Sequence, residues 1–290
     1  EEAGLEGAAR RGDAEVTHVR ADSRQCRPGC CFAAARGPGA DGHDFIPDAV
    51  KAGAAAVVCE EASAVPDGVP RAVVPDSREC LGPLAQAARD WPARRLVNVG
   101  VTGTNGKSTV VHLVSAVLAA AGHRVGRIGT IAYETGLRSL PAGNTTPGAV
   151  ELAELMDEML QAGKTHLVME VSSHALDQRR TAGIPFAAGV FTNLSGDHLD
   201  YHRTMDVYLA AKRRLFESLG SDAAAVVNMD DPAGPKIALA TAARVIGFGL
   251  EGSPELTAEV DRSDAAGTRF SLVHGAERAV VSTSLIGRHN

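Results

Sequence analysis

The residue types best suited to chemistry stand in a glycine-rich run, VGVTGTNGKST, at positions 99–109. A hydrophobic stretch stops at this turn, and a helix-like stretch follows the final Gly-Lys-Ser-Thr. In a strand, loop and helix of this kind, backbone N–H groups and the helix N-terminus face phosphate oxygens, a lysine neutralises them and a hydroxyl reaches magnesium. Gly103, Gly106, Lys107 and Ser108 have the residue types for these roles, so the run predicts a nucleotide-phosphate loop.

The run departs in one respect from the common phosphate-loop spacing. That spacing would require glycine at Val101, whereas Gly100 comes one position early. A glycine turn with a solvated lysine is the alternative interpretation. The coincidence of strand, turn, Gly-Lys-Ser-Thr and helix favours the phosphate loop.

Polar segments also follow two later predicted strands, MEVSSHALDQRR at 169–180 and TNLSGDHLDYH at 192–202. Glu170 stands near the carboxyl end of its strand, where a carboxylate would meet bound magnesium; a surface carboxylate is the alternative. His198 could be a second metal ligand or a hydrogen-bonded histidine, and its spacing does not decide between them. Lys212 lies on an amphipathic helix, and nothing in its local sequence gives it a function.

The segments that must position these residues alternate between strands and helices. Apolar runs predict strands at RLVNVGVTG, THLVMEVS, AAGVFTNLS, DAAAVVNMD and RVIGFG, and helices are predicted at 107–121, 150–162 and 206–219. This alternation is typical of a parallel sheet covered on both faces, which binds ligands at the carboxyl ends of its strands. After residue 252, β-rich runs between Gly and Asp turns predict antiparallel strands.

A smaller α/β region precedes this one. Short β-like runs alternate with turns between residues 16 and 74, with helices at 44–52 and 81–91, until WPARR interrupts the pattern. We therefore predict an α/β protein with a small N-terminal α/β domain at 1–92. A P-loop-type central domain at 93–290 would have a mostly parallel sheet with a few antiparallel strands at its end.

Composition excludes several classes of protein. The 290 residues carry 35 acidic and 29 basic side chains, which gives a net charge of −6. The sequence contains no block of basic residues of the kind that binds nucleic acid, so a nucleic-acid partner is not expected. No apolar run is long enough to span a membrane, and the first residues lack a signal-peptide pattern. We expect the five cysteines to be reduced thiols and not zinc ligands. We also expect the protein to be a cytoplasmic monomer.

The run TGTNGKST at 102–109 resembles the ATP loop of the Mur ligases and of the related folylpolyglutamate synthetases, which narrows the nucleotide to ATP. Other motifs stand in the order seen in one branch of the Mur ligase family: DSR at 22–24, ADGHDFI at 40–46, NTTP at 144–147, the two polar segments above, and AAK at 210–212. The resemblance spans roughly residues 16–290. That branch adds the third amino acid, meso-diaminopimelate or L-lysine, to UDP-N-acetylmuramoyl-L-alanyl-D-glutamate in peptidoglycan synthesis.

The resemblance implies a role for each matching position. ATP would be bound by Gly103, Thr104, Asn105, Gly106, Lys107, Ser108 and Thr109. The uridine nucleotide would be held by Ser23, Pro38, Gly39 and Ala40. The muramoyl-dipeptide part would be held by Asn144, Thr145, Thr146, Ser172, Gln178 and Arg180. The catalytic residues would be Lys107, Glu170, His198 and Lys212. Magnesium would be bound by Ser108, Glu170, His198 and Lys212, with the lysine carbamylated.

The resemblance also implies a reaction with ATP and Mg²⁺ as cofactors. ATP would phosphorylate the γ-carboxylate of the D-glutamate, and the amine of the amino acid would attack the acyl phosphate to form an amide. Both steps bring anions together, so cations should supply most of the help. A third, C-terminal domain would bind the amino acid; we expect this chain to lack it and to ligate weakly or not at all alone.

Three alternatives remain open from the sequence. A sister Mur enzyme or a folylpolyglutamate synthetase shares the phosphate loop, although DSR and MEVSSHAL together are not expected there. A truncated, non-catalytic relative would bind the nucleotides without turnover. A small GTPase or kinase would show guanine preference or a phosphorylated product, and no recognition motif for either is visible.

Overall fold

The computed structural model describes residue 5 and residues 7–37 and 39–286. Contacts divide the chain into two compact units. Unit 1 comprises the described residues up to Val97 together with Ala121–Leu167 and His174–Ile184. Unit 2 comprises Asn98–Ala120, Val168–Ser173 and the described residues from Pro185 onward. The predicted domain boundary between residues 92 and 93 is not tested by this grouping and stays a prediction.

The elements follow one another in the order of the chain. The strands of the described part are β1 (Ala9–Arg11), β2 (His18–Arg20), β3 (Cys30–Ala33), β4 (Ala54–Cys59), β5 (Arg71–Val73), β6 (Val97–Thr102), β7 (Val125–Ile128), β8 (Ala132–Glu134), β9 (Ser139–Pro141), β10 (His166–Glu170), β11 (Phe186–Phe191), β12 (Ala224–Asn228), β13 (Arg244–Gly249), β14 (Leu256–Asp264), β15 (Gly267–His274) and β16 (Glu277–Thr283). The helices are α1 (Ile46–Lys51), α2 (Ser77–Ala87), α3 (Pro92–Arg95), α4 (Lys107–Ala120), α5 (Ala149–Gln161), α6 (Ser173–Asp177), α7 (Leu199–His202), α8 (Met205–Glu217) and α9 (Gly234–Ala238).

Unit 1 contains a five-stranded sheet in the order β1-β5-β4-β3-β2. Strands β2 to β5 are parallel to their neighbours, and β1 pairs antiparallel with β5. Side chains alternate across β3: Cys30 and Phe32 join one buried cluster with Ile46, whereas Cys31 joins another with Leu84. A sheet covered on both faces accounts for the continuous apolar character of its strands. All five cysteines are buried free thiols.

Unit 2 contains a mostly parallel run of neighbouring strands in the order β16-β15-β14-β13-β12-β11-β6-β10. β6, β11, β12 and β13 pair in parallel, so their carboxyl ends meet at one edge. β14, β15 and β16 pair antiparallel. The predicted fold class is therefore confirmed, including the antiparallel strands at the end of the chain.

The limits of the five predicted helices, α1, α2, α4, α5 and α8, agree with the structure within a few residues, and the short helices α3, α6, α7 and α9 were not predicted. α2 begins at Ser77 rather than near residue 81, because the Asp76 side chain accepts hydrogen bonds from the backbone N–H groups of Arg78 and Glu79. That N-cap stabilises the first turn, so the helix lies four residues earlier in the chain than predicted. The antiparallel strands β7 to β9 were not predicted.

None of the helices in the described part of the chain is both long and apolar enough to cross a membrane.

Candidate active site

The glycine-rich run forms a loop between the last residue of β6, Thr102, and the first residue of α4, Lys107. Gly103 has a φ of +148° and Gly106 a φ of +82°, both in the region that favours glycine. A Cβ atom at Gly103 would clash with Oγ1 of Thr192, so the loop also needs glycine there for space. The loop therefore turns directly into the N-terminus of α4, the end at which the first N–H groups of a helix have no partner within the helix.

The segment after β11 holds this loop in place. Asn193 accepts a hydrogen bond from the backbone of Thr104 through its carbonyl oxygen (2.9 Å) and from that of Asn105 through Oδ1 (3.0 Å). The Thr192 hydroxyl donates to the carbonyl of Asn105 over 2.7 Å. The Ser195 N–H donates to Oγ1 of Thr104 over 3.0 Å. The loop conformation therefore depends on residues about 90 positions away in sequence.

Lys107 lies over the loop that precedes it. Its Nζ donates to the carbonyl oxygens of Gly103 (3.0 Å) and Thr104 (2.7 Å). Burial lowers the pKa of Lys107, while the charges of Glu170 and Asp197 oppose that shift. A lysine held against a glycine-rich loop at the N-terminus of a helix is the arrangement expected of a phosphate-binding lysine.

Ser108 and Glu170 are brought together in unit 2. The Ser108 hydroxyl donates to Oε1 of Glu170 over 2.8 Å. Glu170 ends β10 and is only 2% exposed. A hydroxyl beside a buried carboxylate supplies the oxygen donors that Mg²⁺ prefers, usually one or two carboxylates together with phosphate oxygens and water. This donor pair fits the implied magnesium ion.

Lys212 is buried in α8, with 1% of its surface exposed. Its Nζ donates to the carbonyl oxygen of Gly103 over 2.7 Å and lies 4.3 Å from the ring centroid of Tyr208. Burial, followed by the charge of Lys107, lowers the pKa of Lys212 to about 7. Because an amine must be neutral to react with carbon dioxide, these surroundings suit the carbamylation implied for this lysine.

The lowered pKa of Lys212 gives a stability prediction. Between about pH 7 and the ordinary lysine pKa of 10.5, Lys212 is protonated in the unfolded chain but neutral in the native protein. Because the unfolded chain then binds one more proton, the free energy of unfolding rises with pH over this range. Below pH 7 folding buries the charge. In the unmodified protein, where Lys212 carries no carbamate, Lys212→Met should therefore raise the free energy of unfolding by about 2 kcal/mol near pH 6, and the gain should shrink toward about pH 9.5. Urea unfolding at three pH values measures this; a destabilised variant near pH 6, or parallel pH profiles, would contradict it.

His198 immediately precedes α7 and contacts Asp197 and Tyr208. It has a φ of +52°, its side chain is 46% exposed, and its Nε2 lies 3.5 Å from Oδ2 of Asp197. Its ring makes an edge contact with Tyr208, with 6.2 Å between centroids. Among the residues that the structure describes, no three His, Cys, Asp or Glu side chains gather into a metal cage. The role of His198 as a metal ligand stays a prediction.

The predicted dipeptide-binding residues of unit 1 are also brought together. The guanidinium of Arg180 donates to the carbonyl of Thr146 (2.7 Å, from Nη1) and to Oε1 of Gln178 (2.8 Å, from Nη2). The Asn144 N–H donates to the hydroxyl of Tyr133 (3.0 Å), and the hydroxyls of Thr130 and Thr145 lie 3.1 Å apart. The NTTP loop and the turn after α6 thus form one polar surface. Ser172 belongs to unit 2, where it is partly buried.

The predicted uridine-binding residues follow two adjacent strands of unit 1. Ser23, 8% exposed, follows β2, and the loop with Gly39 and Ala40 follows β3, which pairs in parallel with β2. The loop is closed by a hydrogen bond from the Gly37 N–H to the carbonyl of Ala40, 2.8 Å long. Both segments lie at carboxyl ends of parallel strands, where ligands bind such sheets. Pro38 lies outside the described residues.

Some residues of this site were missed from the sequence. Tyr208, 1% exposed, contacts Lys212 through its ring and Thr104 through its hydroxyl, with 3.2 Å between oxygens. Its position four residues before Lys212 on one helix face is the only sequence signal that could have found it. Thr192 and Asn193, which support the loop, were missed as well. They lie in the polar segment at 192–202, in which only His198 was predicted to have a function.

Comparisons with known proteins agree with this geometry. A model of the Mur ligase middle domain matches residues 101–290, and a model described as the catalytic domain of the Mur ligase family matches residues 15–89. A UDP-N-acetylmuramoyl-L-alanyl-D-glutamate--2,6-diaminopimelate ligase of Geobacter metallireducens is 43% identical, over 95% of this chain and 55% of its own length. The same ligase of Geobacillus thermodenitrificans is 40% identical, over 97% of this chain and 58% of its own length.

Solved structures are similar too. A UDP-N-acetylmuramoyl-L-alanyl-D-glutamate--2,6-diaminopimelate ligase superposes with a TM-score of 0.80 at 28% identity, covering 94% of this chain and 57% of that protein. The MurF ligase of Thermotoga maritima, solved in complex with ADP, superposes with a TM-score of 0.59 at 22% identity. The match covers 94% of this chain and 59% of that protein, and it shows a similarity of fold alone. The chain thus spans little more than half the length of these relatives. Since the middle-domain model alone matches more than half of its residues, this chain belongs to the Mur ligase family.

Proposed function

We propose that the protein containing this chain is an ATP-dependent ligase, which adds the third amino acid to UDP-N-acetylmuramoyl-L-alanyl-D-glutamate and releases ADP and phosphate. The observation that carries the proposal is the convergence on one loop of Lys107, the Ser108–Glu170 pair and the buried Lys212. The acceptor follows from the relatives that bear this activity in their names. The amino acid would be meso-diaminopimelate or L-lysine.

The two predicted domains would divide the substrates between them. Residues 1–92 would hold the uridine nucleotide through Ser23 and the loop at 38–40. Residues 93–290 would hold ATP at the phosphate loop and the muramoyl dipeptide at the NTTP loop and Arg180. A further domain of the whole protein would bind the amino acid. The net charge of −6 favours small-molecule partners over nucleic acid, and we propose a cytoplasmic monomer.

The chemistry would consist of two displacements at anionic centres. The γ-carboxylate of the D-glutamate attacks the γ-phosphorus of ATP, which forms an acyl phosphate and expels ADP. The amine then attacks the acyl carbon, expels phosphate and loses a proton to form the amide. Lys107 and the N-terminus of α4 would neutralise charge on the transferring phosphoryl group. No protein nucleophile is needed in either step.

The magnesium site would be formed by Ser108 and Glu170, with His198 and carbamylated Lys212 as further ligands. When bound, Mg²⁺ would act as a Lewis acid on the phosphate oxygens. The hydrogen bond between Ser108 and Glu170 holds the two donor oxygens side by side. Carbon dioxide would add to the neutral amine of Lys212, forming an N–C bond and releasing one proton, so that a buried neutral amine becomes an anion.

The test is a ligation assay with the full-length protein. It would be given ATP, Mg²⁺ and UDP-N-acetylmuramoyl-L-alanyl-D-glutamate with either meso-diaminopimelate or L-lysine, and the products followed by mass spectrometry and ADP release. We expect a UDP-linked tripeptide with one of the two amino acids. ADP release that requires folate and glutamate, or a GTP-specific reaction, would contradict the proposal.

A further inference from the structure

The two halves of the proposed UDP-sugar dipeptide surface lie in the same compact unit. Ser23 and the loop at 39–40 come from the start of the chain, whereas the NTTP loop and Arg180 come more than 100 residues later. Both sets nevertheless belong to unit 1. The contacts that join these two parts of the chain therefore set the separation between the two halves of the surface.

A cluster of charged side chains spans the two parts. Oε1 of Glu154 on α5 accepts hydrogen bonds from Nη1 of Arg20 and from Nη2 of Arg89, each 2.9 Å long. Nη1 of Arg89 also lies 3.5 Å from Oδ2 of Asp157, one turn further along α5. The side chains of Arg20, Arg89 and Glu154 are 22%, 28% and 32% exposed. We call Arg20, Arg89, Glu154 and Asp157 the bridging cluster.

The bridging cluster is adjacent in sequence to both halves of the surface. Arg20 is the last residue of β2, three positions before Ser23. Glu154 lies in the second turn of α5, the helix that begins three residues after Thr146. Thr146 in turn accepts the hydrogen bond from Arg180. A change at Glu154 can therefore alter the placement of one half relative to the other without touching a predicted ligand contact.

Close packing of α2 also joins the two parts of unit 1. The amide of Gln86 on α2 contacts Sδ of the buried Met156 on α5 at 3.4 Å. A Cβ atom at Gly82 of α2 would clash with the carbonyl oxygen of Ala182, in the turn that follows Arg180. Such interlocked contacts are stiff, because displaced side chains have no space to move into. α2 is therefore packed against both segments that carry the dipeptide half.

We propose that Glu154 is a positioning residue, which with Arg20 and Arg89 fixes the distance between a subsite for the nucleoside diphosphate and a subsite for the acidic peptide of one ligand. The inference rests on the proposed function and deepens it. Two linked groups bind far more tightly than either alone only when both subsites can be occupied at once. A fixed separation lowers the conformational entropy lost on binding the joined ligand. A ligand that occupies only one of the two subsites gains no affinity from their fixed separation.

The test uses titration calorimetry of the chain with two probes, UDP alone and UDP-N-acetylmuramoyl-L-alanyl-D-glutamate, and with ATP as a further control ligand. Glu154→Gln should weaken binding of the joined ligand about fivefold or more, and leave binding of UDP and of ATP within about twofold. Arg20→Gln, which removes the contact from the other side, should act in the same direction. A variant that only damaged the folded structure would weaken the binding of both probes to the same extent.

The matched control is Glu158→Gln. Glu158 lies on the same helix, one turn from Glu154, and pairs with Arg138, which belongs to the turn before β9 rather than to the N-terminal part of unit 1. It should leave the affinity for both probes unchanged. Equal affinity of Glu154→Gln and the unchanged chain for the joined ligand would overturn the inference. If the unchanged chain bound the joined ligand no better than UDP, the proposed function itself would fail, and the two failures are thus distinguished.

Discussion

Replacement of Lys107 by methionine should reduce the affinity for ATP about 10- to 100-fold, the range expected when charge-assisted hydrogen bonds are lost. The rate of amide formation in the full-length protein should fall by about 100- to 1000-fold, because the lysine charge meets the transferring phosphoryl group. Folding should not suffer. Burial already lowers the pKa of Lys107, so the native state gains little from its charge. Calorimetry with ATP, the ligation assay of the full-length protein and thermal unfolding measure these three quantities separately.

Lys236→Met is the control for this prediction. Lys236 is an exposed lysine of α9 in the same unit. Its replacement makes the same change of charge and side-chain type, and ATP binding should be unaffected. If both variants lost ATP affinity to the same extent, general electrostatic attraction rather than the phosphate loop would hold the nucleotide. If Lys107→Met bound ATP normally, the loop would not be the nucleotide site.

Replacement of Arg180 by methionine should reduce the affinity for UDP-N-acetylmuramoyl-L-alanyl-D-glutamate about 10- to 100-fold. The affinity for the L-alanyl form, which lacks the glutamate carboxylates, should change much less. The reason is that Arg180 places a half-buried guanidinium, held by Thr146 and Gln178, at the NTTP surface. ATP binding, which belongs to unit 2, should be unaffected. Calorimetry with the two UDP ligands and ATP gives all three comparisons.

Two further variants separate this role from a structural one. Arg180→Lys keeps the charge but loses the fork of donors, so its affinity should be intermediate. Arg124→Met removes an exposed arginine immediately before β7 and should leave all ligands unaffected. Equal losses for the two UDP ligands in Arg180→Met would show that Arg180 maintains the loop and does not bind the glutamate.

The phosphate loop could be predicted from sequence because its chemistry is local. Gly103, Gly106, Lys107 and Ser108 are consecutive or nearly so, and the strand before them and the helix after them follow from simple patterns. Glu170 could also be placed, because the carboxyl ends of neighbouring parallel strands meet at one edge. The Ser108–Glu170 hydrogen bond is the result of that rule.

Lys212 could not be singled out by its own sequence. Its unusual property is burial on a helix that otherwise looks amphipathic, and burial depends on Tyr208 and on the loop carbonyl of Gly103, which is 109 residues away. Only the resemblance to a family drew attention to it. The lowered pKa, to about 7, is a consequence of tertiary structure that no local pattern contains.

The bridging cluster also could not be predicted from the sequence, because it depends on which helices pack together. Arg20, Arg89 and Glu154 are ordinary charged residues in sequence, each suited to a solvated surface. The chain brings them together because α2 packs against α5, although a proline and two arginines at 92–95 predict a boundary between those helices. Sequence periodicity describes which face of a helix is apolar, and it does not identify the partner of that face.

The most direct measurement is titration calorimetry of this chain with UDP-N-acetylmuramoyl-L-alanyl-D-glutamate, with the L-alanyl form that lacks glutamate, and with ATP and Mg²⁺. We predict that the chain binds the complete UDP-dipeptide ligand more tightly than the form without glutamate, and that ATP binds in addition. That result would place the protein at the step that adds the third amino acid. Binding of ATP without any preference for the D-glutamate ligand would contradict the proposed acceptor.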